Sequence, residues 1–252
     1  MTTPTIELIH QHGSVRAYKS DPVPYSMVEE IVAAGQRAST SSNLQTYSVI
    51  ATTDKAKIKK LQEITGGQKH ITQAPVFLVW CADFSRLKRV CTHQGYSVNA
   101  NHIENFLVAA VDAAIASQNA GLAAESLGLG FCYIGALRND PRQVISLFEL
   151  PDLVYPMFGM TLGWPEKSPL IRPRLPLQAV LHNEVYQEDD LAYLQEFDRA
   201  MIDTGIYQGR QVDREDSSPE AYGWMEHSAR RVSKPSRPGL KETIQESGFS
   251  LK

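Results

Sequence analysis

The chain has 252 residues, of which 42% are hydrophobic and 21% charged, enough apolar material for a full core and an ordinary globular composition. Lysine and arginine total 25 against 28 aspartates and glutamates, a formal charge of -3, so no global field draws the chain to nucleic acid or to an anionic membrane, and any anion site has to be local. Cys81, Cys91 and Cys132 form no CxxC pair and no metal-ligand spacing, so neither a disulfide framework nor a metal site is expected and a reducing, cytoplasmic setting fits. The first twelve residues are mixed polar and do not read as a signal peptide.

In chain order, Asp21-Pro-Val-Pro is a turn, after which Met27, Val28, Ile31 and Val32 recur at helical spacing as far as the polar run Ser39 to Asn43. Tyr47 to Ala51 reads as a strand, Asp54 caps a helix containing Ile58, Leu61 and Ile64, and Gly66-Gly67 ends it. Pro75 to Cys81 is an apolar strand. Residues 101–127 predict one long helix, with Ile103, Leu107, Val111 and Ile115 on one face and alanines 109, 110, 113, 114 and 116 elsewhere. A surface so poor in bulk lets another helix approach closely, either inside the protomer or across a dimer seam; the pattern does not choose between them. Asp112, Gln118, Asn119 and Glu125 interrupt it, which favours a core helix over a membrane span. Gly130 to Ile134 and Val154 to Leu162 predict further strands with a helix between them that ends near Leu150-Pro151. The alternation implies an α/β or α+β sandwich, helices covering a sheet. Beyond Trp164 come prolines, a helix over Ala192 to Ile202, and a polar, arginine-containing tract from Gly205 to Pro238 that reads as an appendage or lid. The expected division is a core over 1–164 and an extension over 165–252.

Three constellations can carry chemistry. If His12-Gly13-Ser14-Val15-Arg16 is extended, alternate residues share a side, and His12, Ser14 and Arg16 present donors suited to a phosphate dianion; taken alone, a polar turn with Arg16 in a surface ion pair explains the segment as well. Arg172-Pro-Arg174 holds two guanidiniums apart in extended geometry, suiting an anion or merely a basic loop. Ser39-Thr40-Ser41-Ser42-Asn43-Leu44-Gln45 offers hydroxyls and amides for a polyhydroxylated chain or a heterocycle edge, or is a helix cap and turn. Gly66-Gly67-Gln68 and Tyr133-Ile134-Gly135-Ala136 have small residues that let a flat ligand reach the backbone, though each is also an ordinary loop. Gly128-Leu-Gly130 follows a helix instead of opening one and fails the dinucleotide fingerprint. GxxxxGK[ST], HExxH and GxSxG are missing from the sequence, which argues against phosphate-loop enzymes, zincins and serine hydrolases.

Taken in order, His-x-Ser-x-Arg, Ser-Thr-Ser-Ser-Asn-Leu-Gln, Thr-Gly-Gly-Gln-Lys-His, Ala-Ala-Glu-Ser-Leu-Gly-Leu-Gly, Tyr-Ile-Gly-Ala-Leu-Arg-Asn, Leu-Gly-Trp-Pro, Arg-Pro-Arg-Leu-Pro and Ser-Arg-Pro resemble the family of NADPH-dependent flavin reductases and oxygen-insensitive nitroreductases. The motifs span nearly the whole chain. The resemblance implies an α+β fold with a mixed, mainly antiparallel sheet flanked by helices and a C-terminal helical extension, and a homodimer with FMN at the subunit interface. It implies that His12, Ser14, Arg16, Arg172 and Arg174 hold the FMN phosphate and ribityl chain. Thr40, Ser41, Ser42 and Gln68 would contact the flavin, with Tyr133, Ile134, Gly135 and Ala136 along its ring. Two positions depart from the family: Gly13 stands where relatives usually carry Arg, and Ala136 where Gly is common. The reaction implied is ping-pong transfer of hydride from NADPH and of electrons to nitroaromatics, quinones or free flavin, the cofactor carrying the chemistry so that no protein acid or base is needed. Arg210, Arg214 and Arg237 are the candidates for NADPH. The alternatives are a flavin-binding carrier or sensor without turnover and another enzyme of the fold, such as a reductive dehalogenase.

Overall fold

A computed structural model of the chain describes residues 2–100, 102–188, 190–208 and 222–252. At its centre is a strand, β2 (Val76–Asp83), buried along all eight residues. Its side chains alternate between two cores: Val76, Leu78 and Trp80 belong to one, Phe77, Val79 and Cys81 to the other. This period of two is what a strand covered on both faces requires. β2 pairs with β1 (Tyr47–Thr52) and β4 (Val154–Gly163), and β4 pairs with β3 (Gly130–Ile134), all antiparallel, in the order β1-β2-β4-β3. The sheet of the described residues is thus antiparallel throughout, in keeping with the mainly antiparallel sheet expected. Burial in the core holds the Cys81 thiol up at about 12, so it stays protonated and inert.

Helices α1 (Pro4–His10), α2 (Tyr25–Gly35), α3 (Lys55–Ile64), α4 (Lys69–Gln73), α5 (Ser85–His93), α6 (Ile103–Ser126) and α7 (Pro141–Leu147) follow in chain order. The Asp54 carboxylate caps α3, accepting from the Ala56 and Lys57 amides at 2.7 and 3.2 Å. Gly66 and Gly67 end it at φ +83° and +78°, where an L-residue is strained. On one face of the sheet α2 and α6 enclose Val28, Ile31, Trp80, Ala113, Ala116, Ala120 and Ala124. A Cβ added to Gly35 of α2 would sit 2.9 Å from the Ala116 carbonyl. The alanine surface of α6 is therefore spent on close packing inside the protomer. The exposed face is the bulky one, with Ile103, Leu107, Val111 and Ile115 at 51, 49, 53 and 41% accessibility. By length and composition α6 could cross a bilayer, but its small face is packed into a core.

By contacts the described chain divides into two units, one formed by residues 1–169 with 239–252 and the other by 170–238. In the first, α10 (Leu240–Glu246) returns the chain to the sheet unit. Phe249 stacks edge-on against Phe84 and Phe106, and the Lys252 carbonyl accepts from the Ile103 amide at the start of α6. In the second, α8 (Leu191–Asp203) and α9 (Trp224–Val232) meet through an edge-to-face contact of Phe197 and Trp224, and Asp198 accepts from the Met225 amide at 2.7 Å.

Candidate functional site

Residues 13–16 follow α1 outside any helix or strand, alternate between buried and accessible, and are fastened to the sheet. The Val15 amide donates to the Phe131 carbonyl at 2.9 Å, and the buried Tyr18 hydroxyl donates back to the Val15 carbonyl at 2.9 Å. Val15 packs onto Gly130, where a Cβ would collide with it. With Gly13 and Val15 turned inward, Ser14 and Arg16 lie on the accessible side, as alternation demands. Among the described residues no carboxylate pairs with Arg16. Burial, and then the Arg16 cation, hold the His70 imidazole of α4 below its usual 6.5, which puts Arg16 within electrostatic reach of the loop that carries Gln68. His12 is engaged elsewhere: its Nδ1 lies 2.6 Å from Glu125 Oε1 on α6, and its ring is 5.2 Å from Phe131. A carboxylate only accepts, so Nδ1 is the donor.

Gln68 begins α4 with its side-chain amide donating to the Thr65 carbonyl at 3.0 Å. A Cβ on Gly66 or Gly67 would meet nothing within 4 Å, leaving that backbone open to a flat ligand. Tyr133, at the end of β3, is half-exposed and shares a 3.0 Å hydrogen bond with Ser117; burial raises its hydroxyl pKa. Ile134 is buried, and Gly135 and Ala136 start a 3-10 turn in which a Cβ on Gly135 would meet only the Arg138 guanidinium, at 3.5 Å.

The hydroxyl loop is the most constrained element of the site. Ser42, Asn43 and Gln45 have φ of 48, 55 and 53°, each a left-handed position costing a non-glycine residue roughly 1–2 kcal/mol. Asp112, 1% exposed on the alanine face of α6, holds both ends: Oδ1 accepts from the Ser41 amide at 3.0 Å, and Oδ2 from the Thr46 amide and hydroxyl at 3.0 and 2.8 Å. Thr40 and Ser41, with Leu107, Val111 and Ile115, line an open groove of about 400 Å³. Sequence reasoning noted Asp112 and Glu125 only as interruptions of an apolar helix. A lone acid among buried alanines was the available signal.

In the second unit Arg172 and Arg174 line a cavity of about 560 Å³ walled by Phe197, Met201, Tyr207 and Trp224. Arg174 reaches the Arg172 and Pro173 carbonyls at 3.4 Å, too long for strong bonds. Tyr207 stacks on His227, which accepts from or donates to the Tyr222 hydroxyl at 3.2 Å. Arg230, in the basic run after His227, pairs with Glu226 one helical turn before it. Arg237 adopts a left-handed φ of 52°; Arg210 and Arg214 lie outside the described residues.

A nitroreductase family model matches residues 9–164, and a model of that family's C-terminal domain matches residues 172–252. The chain is 38% identical over 250 residues to the oxygen-insensitive NADPH nitroreductase of Salmonella typhimurium, covering 99% of this chain and 100% of the relative. It is 37% identical over 250 residues to an NAD(P)H-type FMN reductase of Bacillus subtilis, with 98% of each chain covered. Among solved structures, the NADPH:FMN oxidoreductase of Vibrio harveyi complexed with NAD+ superposes with a TM-score of 0.88 at 34% identity, covering 99% of this chain and 100% of that one. Matched in both family models and along its full length by such relatives, this chain belongs to the nitroreductase family.

Proposed function

We propose that the chain is an FMN-dependent oxidoreductase that takes hydride from NADPH and reduces nitroaromatics, quinones or free flavin, acting as a homodimer with FMN at the subunit interface. The observation that carries this reading is the Ser14 and Arg16 donor pair, accessible on a clamped segment with no carboxylate paired to Arg16 among the described residues. A guanidinium held so and left without a protein anion suits a phosphate. Relatives whose names specify an NADPH nitroreductase and an FMN reductase support it along the whole chain.

The donor set fits FMN. Arg16 and Ser14, with Arg172 and Arg174 and the Nε2 edge of His12, whose Nδ1 is held by Glu125, would bind its phosphate and ribityl chain. The hydroxyls of Thr40, Ser41 and Ser42 and the amide of Gln68 suit the heterocycle's polar edge. Backbone at Gly66, Gly67 and Gly135 is free of the crowding that would keep a flat ring away, and Tyr133, Ile134 and Ala136 would flank that ring. When bound, FMN supplies two-electron chemistry, hydride in from NADPH and electrons out to the acceptor in ping-pong order. The chain's own work is to bind, orient and shield; none of these side chains has to move a proton. The exposed Leu107, Val111 and Ile115 stripe beside the hydroxyl loop is the surface on which a second protomer would dock.

Purified protein should be yellow and should consume NADPH aerobically, faster with nitrofurazone or added FMN. Arg16→Ala should release flavin during gel filtration and weaken its binding by about ten- to a hundredfold, the loss of a charge-assisted bond to a desolvated anion. A yellow protein inert to NADPH would be a carrier. Colourless protein that gains no activity from FMN would overturn the assignment, and unchanged flavin affinity in the variant would remove Arg16 from the site.

A further inference from the structure

Building on the flavin reading of the hydroxyl loop, we propose that Asp112 is a positioning residue. It holds Thr40, Ser41 and Ser42 in the geometry in which they meet the flavin, and so sets FMN affinity without touching cofactor or substrate. Its carboxylate is buried on a helix face otherwise made of small residues, five alanines with Ser117 and Gly121. An ionisable group in that place is costly unless its hydrogen bonds are filled, and alanine there would serve packing as well. What the acid adds is three bonds, all to one loop, from the Ser41 amide, the Thr46 amide and the Thr46 hydroxyl.

The loop needs that hold. Three of its five residues between Ser41 and Thr46, counting from Ser41 itself, are left-handed and none is glycine, a path the backbone leaves when its ends are released. The Thr46 end has a second anchor nearby, since Arg86 donates to the Gln45 and Tyr47 carbonyls at 2.9 and 3.3 Å. The Ser41 end is tied to α6 through Asp112 Oδ1. Loss of that single acceptor therefore acts on the serines directly, whereas the Thr46 bonds act on them by fixing the carboxylate that holds Ser41.

Asp112→Asn makes this cut. Its one remaining oxygen satisfies the two Thr46 donors, and its NH2 group then faces the Ser41 amide, donor against donor. Flavin retention by the holoenzyme is measured by equilibrium ultrafiltration for D112N, S41A and the double variant, with hydrogen exchange of the peptide covering 40–46. Each single variant is expected to retain FMN about tenfold more weakly, and the double no more weakly than either, because a loop already released has no contact left to lose. Exchange should quicken in 40–46 of D112N while β2 stays protected.

Losses that multiply to about a hundredfold in the double variant, or exchange in 40–46 that is unchanged in D112N, would overturn the proposal. Unchanged retention in S41A with weakened retention in D112N would refute the flavin reading of this loop and the proposal together, while leaving the Arg16 site standing. Thr46→Val covers a D112N that does not fold: it removes one of the three donors and no charge, and should weaken FMN retention about twofold with faster exchange in the loop. No change in either would equally overturn the role given to Asp112.

Discussion

His70 shows how one residue reports on the site. Burial first, and the Arg16 cation second, depress its pKa below 6.5. A histidine depressed on folding binds its proton more readily in the unfolded chain, so its contribution is complete above the unfolded value and is lost as pH falls through 6.5 toward the folded value. His227, depressed by burial and Arg231, acts in the same direction. The melting temperature should therefore fall between about pH 7 and about pH 5, and fall less steeply in His70→Gln. Melting curves of both proteins across that range, with an NMR titration of the His70 ring, make the comparison; equal slopes would mean that His70 is not held neutral. Arg16→Ala should move the His70 titration upward, since one of its two depressing influences is gone.

At the scale of an element, α6 is where sequence and structure diverged most instructively. Its boundaries and its two faces were legible from spacing alone, as were β1 to β4, α2, the Asp54 cap and the Gly66-Gly67 stop. Which face does what was not, because a small-residue surface suits close packing inside a protomer and between protomers equally. The structure assigns the alanines to α2 and the sheet, so a charge at Ala113 or Ala116, which the seam reading would place in a dimer interface, instead strikes the core. Ala116→Glu should fail to fold, since an unpaired buried carboxylate costs several kcal/mol. Val111→Glu, on the exposed stripe, should keep its circular dichroism yet sediment as a monomer and lose flavin with association, burial of four half-exposed side chains being worth about 1 kcal/mol each. A Val111→Glu protein that sediments as the wild type does would exclude this stripe from the interface. Short helices such as α4 and α5 escaped notice because their few turns are fixed by tertiary contact, not by a pattern of their own. The Asp112 and Glu125 contacts were hidden for another reason: they join positions far apart in the chain.

For the molecule as a whole, using NADPH means telling it from NADH by one phosphate. A 2′-phosphate has to be met by cations not already committed to FMN, and Arg210, Arg214 and Arg237 are the candidates. Paired steady-state kinetics on their alanine variants should show KM for NADPH raised about tenfold and NADH almost untouched in at least one; if none narrows the ratio, the discriminating cations are elsewhere. The family and fold were legible because eight motifs recur in order, whereas the discontinuous first unit was not, since nothing in the local sequence of 239–252 says that it packs against residues made far earlier. That return has a consequence for biosynthesis. Phe84, Phe106 and Tyr155 wait for Phe249, and the first turn of α6 waits for the Lys252 carbonyl, so a ribosome must translate all of 170–238 while these rings stand uncovered. The newborn polypeptide, rather than the finished enzyme, is the species most exposed to aggregation and most in need of a chaperone.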